Sequence, residues 1–167
     1  MTSQEFDRAR LFIFTDIRRE ISLGRASESD AGKTALSSIC VPSGGGNFLA
    51  ALGLLCYTEF AGKLKYKCKK ADGTDWASKN FNLLFDDLGP AYKTLRNGEN
   101  NIYDIFRCGL AHEYYVKHAC TICMLDEGGV PAGIFQPVGH PWTFVVEKYC
   151  NDLEEQFRVL RHQLFSD

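Results

Sequence analysis

Between Asn47 and Leu64 the chain carries Phe48-Leu-Ala-Ala-Leu-Gly-Leu-Leu-Cys56, a run that leaves a helix with almost no polar face. Such a helix has to be surrounded by other elements rather than laid on a surface. Asn47 suits its cap, because an Asn side chain accepts from an early backbone N–H. Glu59 is the one carboxylate on the segment, and an ionised carboxylate is costly to bury without a partner. It therefore reaches the rim or meets a cation such as an arginine, and the rim is its expected place.

Several segments can surround that helix. Ser3 can cap a helix over about 4–23, where Phe6, Ala9, Ile13, Ile17 and Ile21 fall on one face and Gly24 supplies a stop. Trp76 to Leu88 reads as a further helix, with Trp76, Phe81, Leu84, Phe85 and Leu88 available for packing. Gly89-Pro90 interrupts it before a short continuation over 91–95. From about Pro141 to Phe165, Val146, Cys150, Leu153, Phe157, Leu160 and Leu164 alternate at spacings of four and three. That is a bundle seam, within one chain or between two. Residues 25–46 form a long connection with room for one short helix near 34–39. Ala119–Leu125 and Val130–Gln136 flank Asp126-Glu-Gly-Gly129 as a β-hairpin over about 119–136, with Pro131 marking an edge strand. The expectation is one mainly α domain over 1–167: a helical bundle of four or more helices with a small β-hairpin before the last helix.

At 167 residues, 45% of them hydrophobic, the chain can build a single core, and no segment approaches the run of about 18 apolar residues that a membrane span requires. The polar start, Met-Thr-Ser-Gln-Glu-Phe-Asp-Arg, lacks the basic-then-apolar order of a secretory signal, which gives a cytoplasmic expectation. Seven cysteines without regular spacing read as reduced thiols. A net charge of −2 supplies no global field for nucleic acid, so a polyanion would need a local patch. The one cationic cluster spans Lys63 to Lys70, where Lys63, Lys65 and Lys67 alternate with Leu64 and Tyr66. It is either a solvated helix end or a phosphate-contacting surface.

The chemistry concentrates in Ile102-Tyr-Asp-Ile-Phe-Arg-Cys-Gly-Leu-Ala-His-Glu-Tyr-Tyr115. Asn100 or Asn101 can cap a helix from there to about His118, with Ile102, Ile105, Phe106 and Leu110 on its apolar face. Gly109 in mid-helix suggests a close approach by another group. On an α-helix Arg107 and His112 lie about 140° apart and about 7.5 Å along the axis, so they meet only through a swing of the arginine or through a second chain. Imidazole exchanges protons near neutral pH, and guanidinium binds phosphate oxygens and stabilises added negative charge, so the pair suits phosphodiester cleavage. The competing reading is structural: Arg107 pairs with a carboxylate such as Glu59 or Asp104, and His112 caps a core.

Arg107-Cys-Gly-Leu-Ala-His112, followed by Glu113-Tyr114 late in a small helical protein, resembles the Arg-x4–6-His signature of the HEPN superfamily (higher eukaryotes and prokaryotes nucleotide-binding). The apolar helix after a glycine-rich turn, Gly44-Gly-Gly-Asn-Phe-Leu-Ala-Ala-Leu-Gly-Leu-Leu55, is similar to the family's architecture. That resemblance implies a bundle that forms a homodimer, with two Arg-His motifs near the interface. It further implies a metal-independent endoribonuclease of the kind found in toxin–antitoxin, abortive-infection and CRISPR-associated systems, where an antitoxin or other protein is a partner. By that likeness His112 assists 2′-hydroxyl attack or protonates the leaving oxygen, Arg107 holds the scissile phosphate, and Glu113 and Tyr114 neighbour the substrate. Active members commonly carry a polar residue after the arginine, where this chain has Cys108. The family also contains inactive members that bind nucleotides or act as structural partners.

Three further arrangements carry less. His118, Cys120, Cys123 and His140 suit zinc by type, but there is one Cys-x2-Cys only, and on a regular strand Cys120 and Cys123 point to opposite faces. No metal or other cofactor is expected. Ala31-Gly-Lys-Thr34 lacks the first glycine and the preceding strand of a phosphate loop. Nothing local activates Cys108 or Cys40 as a nucleophile beside His112.

Overall fold

Thr2, not Ser3, caps the first helix, α1 (Ser3–Ala26). Its hydroxyl accepts from Glu5 N–H at 3.2 Å while its own N–H donates to the Glu5 carboxylate at 2.7 Å, so the two donors are satisfied reciprocally. Gly24 does not stop this helix; it lies inside it, where a Cβ would stand 2.6 Å from Met124 Cγ. The stop falls at Ser27, whose N–H and hydroxyl both donate to Leu23 O. The structure, a computed structural model, describes residues 1–98, 101–113, 116 and 119–165.

α2 (Asp30–Ser38) occupies the middle of the 25–46 connection, and Ala31-Gly-Lys-Thr34 winds through its first turns. α3 (Asn47–Tyr66) begins after Gly46, which takes φ 80° at the cap, a conformation glycine adopts without strain. Asn47 is therefore inside the helix, and its Nδ2 donates to Ile122 O at 2.8 Å, tying α3 to the first strand. α3 is the central element, packed against α1, α4 (Ala77–Asp87), α6 (Val146–Phe165) and the segment 103–113. Ala50, Ala51, Leu54, Leu55, Ala61 and Gly62 are buried along it, and Leu49 faces out. α5 (Pro90–Asn97) starts with its proline in the first turn, where no N–H is needed. Trp76 caps α4 and is 41% exposed rather than packed inside.

The β-hairpin expected over 119–136 is not the one that forms. β1 (Cys120–Cys123), β2 (Ile134–Phe135) and β3 (Trp142–Val145) make a sheet in the order β1-β3-β2. β1 runs parallel to β3, with Cys120 opposite Trp142 and Cys123 opposite Val145, while β2 and β3 form the antiparallel pair. The last helix accordingly begins at Val146, five residues later than Pro141 suggests. Two local effects account for this. Asp126 accepts from Gly129 N–H at 2.9 Å and Val130 N–H at 3.2 Å, folding 126–130 into its own turn. Trp142-Thr-Phe-Val145 also carries the β-branched and aromatic side chains that favour a strand.

The protein is thus mainly α-helical with a small three-stranded sheet. Phe6 and Phe14 of α1 meet Phe157 of α6 at ring separations of 5.7 and 5.3 Å, and Tyr92, Phe85 and Tyr149 join α5, α4 and α6. The seam of α6, from Val146 to Leu160, is buried in this core and so is used within the chain. Among the described residues no helix is long and apolar enough to cross a membrane.

Candidate functional site

Asn101 opens the segment that carries Arg107 and His112: its Oδ1 accepts from Asp104 N–H at 3.2 Å and its carbonyl from Ile105 N–H at 2.9 Å. From Tyr103 to Glu113 the chain winds as a π-helix, whose N–H groups reach back five residues instead of four. Ile102, Phe106 and Leu110 recur at a strict spacing of four, as do Ile105 and Gly109, and all five are buried. Together they make the i, i+3, i+4, i+7, i+8 stripe that an ordinary amphipathic α-helix also carries, so the π winding leaves no trace in the spacing.

This winding changes the geometry of the pair. In an i→i+5 ladder, residues five apart take the relation that i and i+4 hold in an α-helix, adjacent turns on one side. Positions 107 and 112 therefore lie on adjacent turns, closer around the helix than an α-helix would place them. The His112 side chain is exposed and makes no hydrogen bond or ion pair with another described residue.

Arg107 reaches across to α3, where its Nε stands 2.7 Å from Glu59 Oε2. The rim placement expected for Glu59 is thereby corrected: its side chain is 24% exposed and partnered. The contact is coulombic rather than a directed hydrogen bond, since Arg107 Nε–H is buried without a hydrogen-bond partner among the described residues. Tyr103, four residues before Arg107, completes the group: its hydroxyl donates to Glu59 Oε2 at 3.3 Å and its ring lies 5.9 Å from Arg107 Cζ. Burial and the Glu59 carboxylate push the Tyr103 hydroxyl up to about 12. Burial works against the Arg107 charge, but Glu59, with Cys56, Tyr103 and Cys108, outweighs it and raises Arg107 above its ordinary value. Burial holds the Cys56 thiol up, against the pull of Arg107, so Cys56 is not an activated thiolate.

The lysines sit at the far end of α3. Lys63 begins one turn beyond Glu59 but pairs with Asp75, as does Lys69. Lys65 pairs with Asp87 at 2.9 Å, and Lys67 is exposed at the left-handed C-cap, φ 52°. Two aspartates, Asp75 and Asp87, thus engage three of the five lysines. Glu113 is exposed at the end of the π-helix, and Tyr114 and His118 lie outside the described residues. Among the described residues no group of His, Cys, Asp and Glu could hold a metal ion.

Sequence reading singled out Arg107 and His112 and missed Tyr103 and the π winding that joins them. The one signal was the isolation of Glu59 on an apolar helix, which called for a partner. No protein-family model matches the chain, and neither a curated protein nor a solved structure matches it.

Proposed function

We propose that the chain is a metal-independent endoribonuclease of the HEPN kind, with Arg107 and His112 as its catalytic residues. The observation that supports this reading is the π-helix, whose wider turn brings positions 107 and 112 onto adjacent turns. In the reaction the 2′-oxygen of RNA attacks the adjacent phosphorus, the new P–O2′ bond forms, and the bond to the 5′-oxygen breaks. His112 takes the 2′-hydroxyl proton or returns one to the leaving oxygen, and Arg107 stabilises the charge added at phosphorus. The products carry a 2′,3′-cyclic phosphate and a 5′-hydroxyl. Two copies pair so that each contributes its Arg-His face, a species of about twice 18.8 kDa by sedimentation. A toxin–antitoxin or defence setting fits such an activity, and expression without a neutralising partner then arrests growth.

The second reading is a non-catalytic HEPN-like module that binds nucleotides, RNA or a protein. It is favoured by the Glu59–Arg107 contact, which occupies the guanidinium, and by Cys108 in the position after it. Incubating purified protein with mixed RNA in EDTA separates the two. The enzyme reading expects cyclic-phosphate ends, with loss of at least a hundredfold in rate for His112→Ala and Arg107→Ala. RNA bound but uncut by the wild type, or cut equally by His112→Ala, leaves the binding module.

A further inference from the structure

α1 has two working faces. Phe6, Ile13, Phe14, Ile17 and Ile21 are buried against the rest of the chain. On the other side Glu5, Arg8, Phe12, Thr15, Arg19 and Ser22 alternate at spacings of three and four, and all six are exposed. That alternation is the seam along which two helices pack lengthwise. At its middle Phe12 is 69% exposed and Leu11, beside it, 64%. Two adjacent large apolar side chains left in water on so long a helix mark a contact surface. Leu11 and Thr15 also border a hollow of about 430 Å³ with Arg18 and, from α6, Glu154, which a helix laid along this face would close.

The charges around Phe12 identify that helix. Arg8 lies four residues before it and Asp16 four after, about 6 Å along the axis in either direction. Glu5 lies seven before and Arg19 seven after, about 10.5 Å. At each distance the two signs are opposite. An antiparallel copy of α1, turned about a two-fold axis at Phe12, sets Arg8 against Asp16 of the partner subunit and Glu5 against Arg19 of the partner subunit, each contact occurring twice. A parallel copy sets like against like. The four charges cancel, so the face offers no net attraction to an anionic membrane or other polyanion. Arg8 makes no ion pair with another described residue. Arg19 stands 3.4 Å from Asp16 of its own helix, but both side chains are 63% exposed, and so open a pair is weak enough to be shared with a second chain.

We propose that two copies of this chain associate by antiparallel contact of their α1 helices, centred on Phe12. α3 packs against α1 and also against the π-helix, and the seam lies on the side of α1 away from its buried face. The contact therefore uses none of the residues around Arg107 and His112, and it does not rest on the reading above.

Sedimentation of the full chain over a concentration series tests it. The wild type is expected to associate reversibly. Arg8→Glu and Asp16→Arg each place like charges opposite one another twice, and each should weaken the association about tenfold or more. Mixing the two variants restores it: the acid introduced in one chain then meets the base introduced in the other, while the native Asp16 and Arg8 meet as before. Misfolding of either variant would not be cured by adding the other. Phe12→Ser weakens the association with no such rescue. If the Arg107 faces pair as well, the single variants stop one association step short of the wild type rather than at the monomer. A wild type that sediments as 18.8 kDa at every concentration, including one that binds anionic vesicles as a monomer, overturns the proposal. Single variants that associate as the wild type does, or a mixture no better than its components, overturn it equally.

Discussion

Arg107 is held between two demands. Its Nε faces the Glu59 carboxylate at 2.7 Å, and the phosphate of an RNA would compete for the same guanidinium. Glu59→Gln keeps the size of the side chain and removes the competing charge. Stability should fall by about 1–2 kcal/mol, because a partly buried cation loses its counter-charge. RNA affinity should rise several-fold, read by fluorescence anisotropy beside thermal unfolding. A fall in both would make Glu59 the group that positions Arg107 for substrate. The same contact shows what the residues alone disclosed. A lone glutamate on an apolar helix and a lone arginine on another announce that each needs a partner, and the sequence offered Glu59 for Arg107 on that ground. The third member, Tyr103, depends on which residues share a face, and that was set by a winding that ordinary helical periodicity does not assume.

Among the elements, α3 and α4 come into close backbone contact at Gly62. A Cβ there would overlap Asn80 O and stand 2.7 Å from its carbonyl carbon, so Gly62→Ala must force the two helices apart. A cost of about 1–3 kcal/mol is expected, lowering the thermal midpoint by about 2–4 °C for each kcal/mol in a chain of this size. Gly53 on the same helix is the control: its nearest contacts would be Ile17 Cδ1 at 3.5 Å and Tyr57 Cε2 at 3.6 Å. Gly53→Ala should therefore be neutral or stabilising by up to about 1 kcal/mol. The helices themselves were legible because each exposes a one-sided apolar pattern: Phe6, Ile13, Ile17 and Ile21 on α1, and Val146 through Leu160 on α6, are buried where their spacing places them. The sheet was not. Parallel pairing of Cys120–Cys123 with Trp142–Val145 leaves no local trace, and Pro141 before Trp142 imitates the start of a helix.

For the whole molecule, buried phenols set the alkaline limit. Burial raises the hydroxyls of Tyr66, Tyr92, Tyr103 and Tyr149 above their ordinary value of 10.0, with Tyr103 reaching about 12. The folded chain keeps these protons at a pH where the unfolded chain has lost them. Their contribution is complete below pH 10 and declines as pH rises from 10 toward the folded values. Thermal midpoints should accordingly be insensitive to these groups up to about pH 9.5 and fall beyond pH 10, with phenolate absorbance from the four appearing together with unfolding.

The strand order has a consequence for synthesis. β3 is made after both other described strands yet is the middle one, so Cys120–Cys123 and Ile134–Phe135 both wait without a strand neighbour until Trp142–Val145 emerge. β3 runs straight into the 20 residues of α6, which then dock on the 24 residues of α1, made well before them. A nascent chain carries the uncovered faces of α1 and α3 from their own synthesis until α6 arrives.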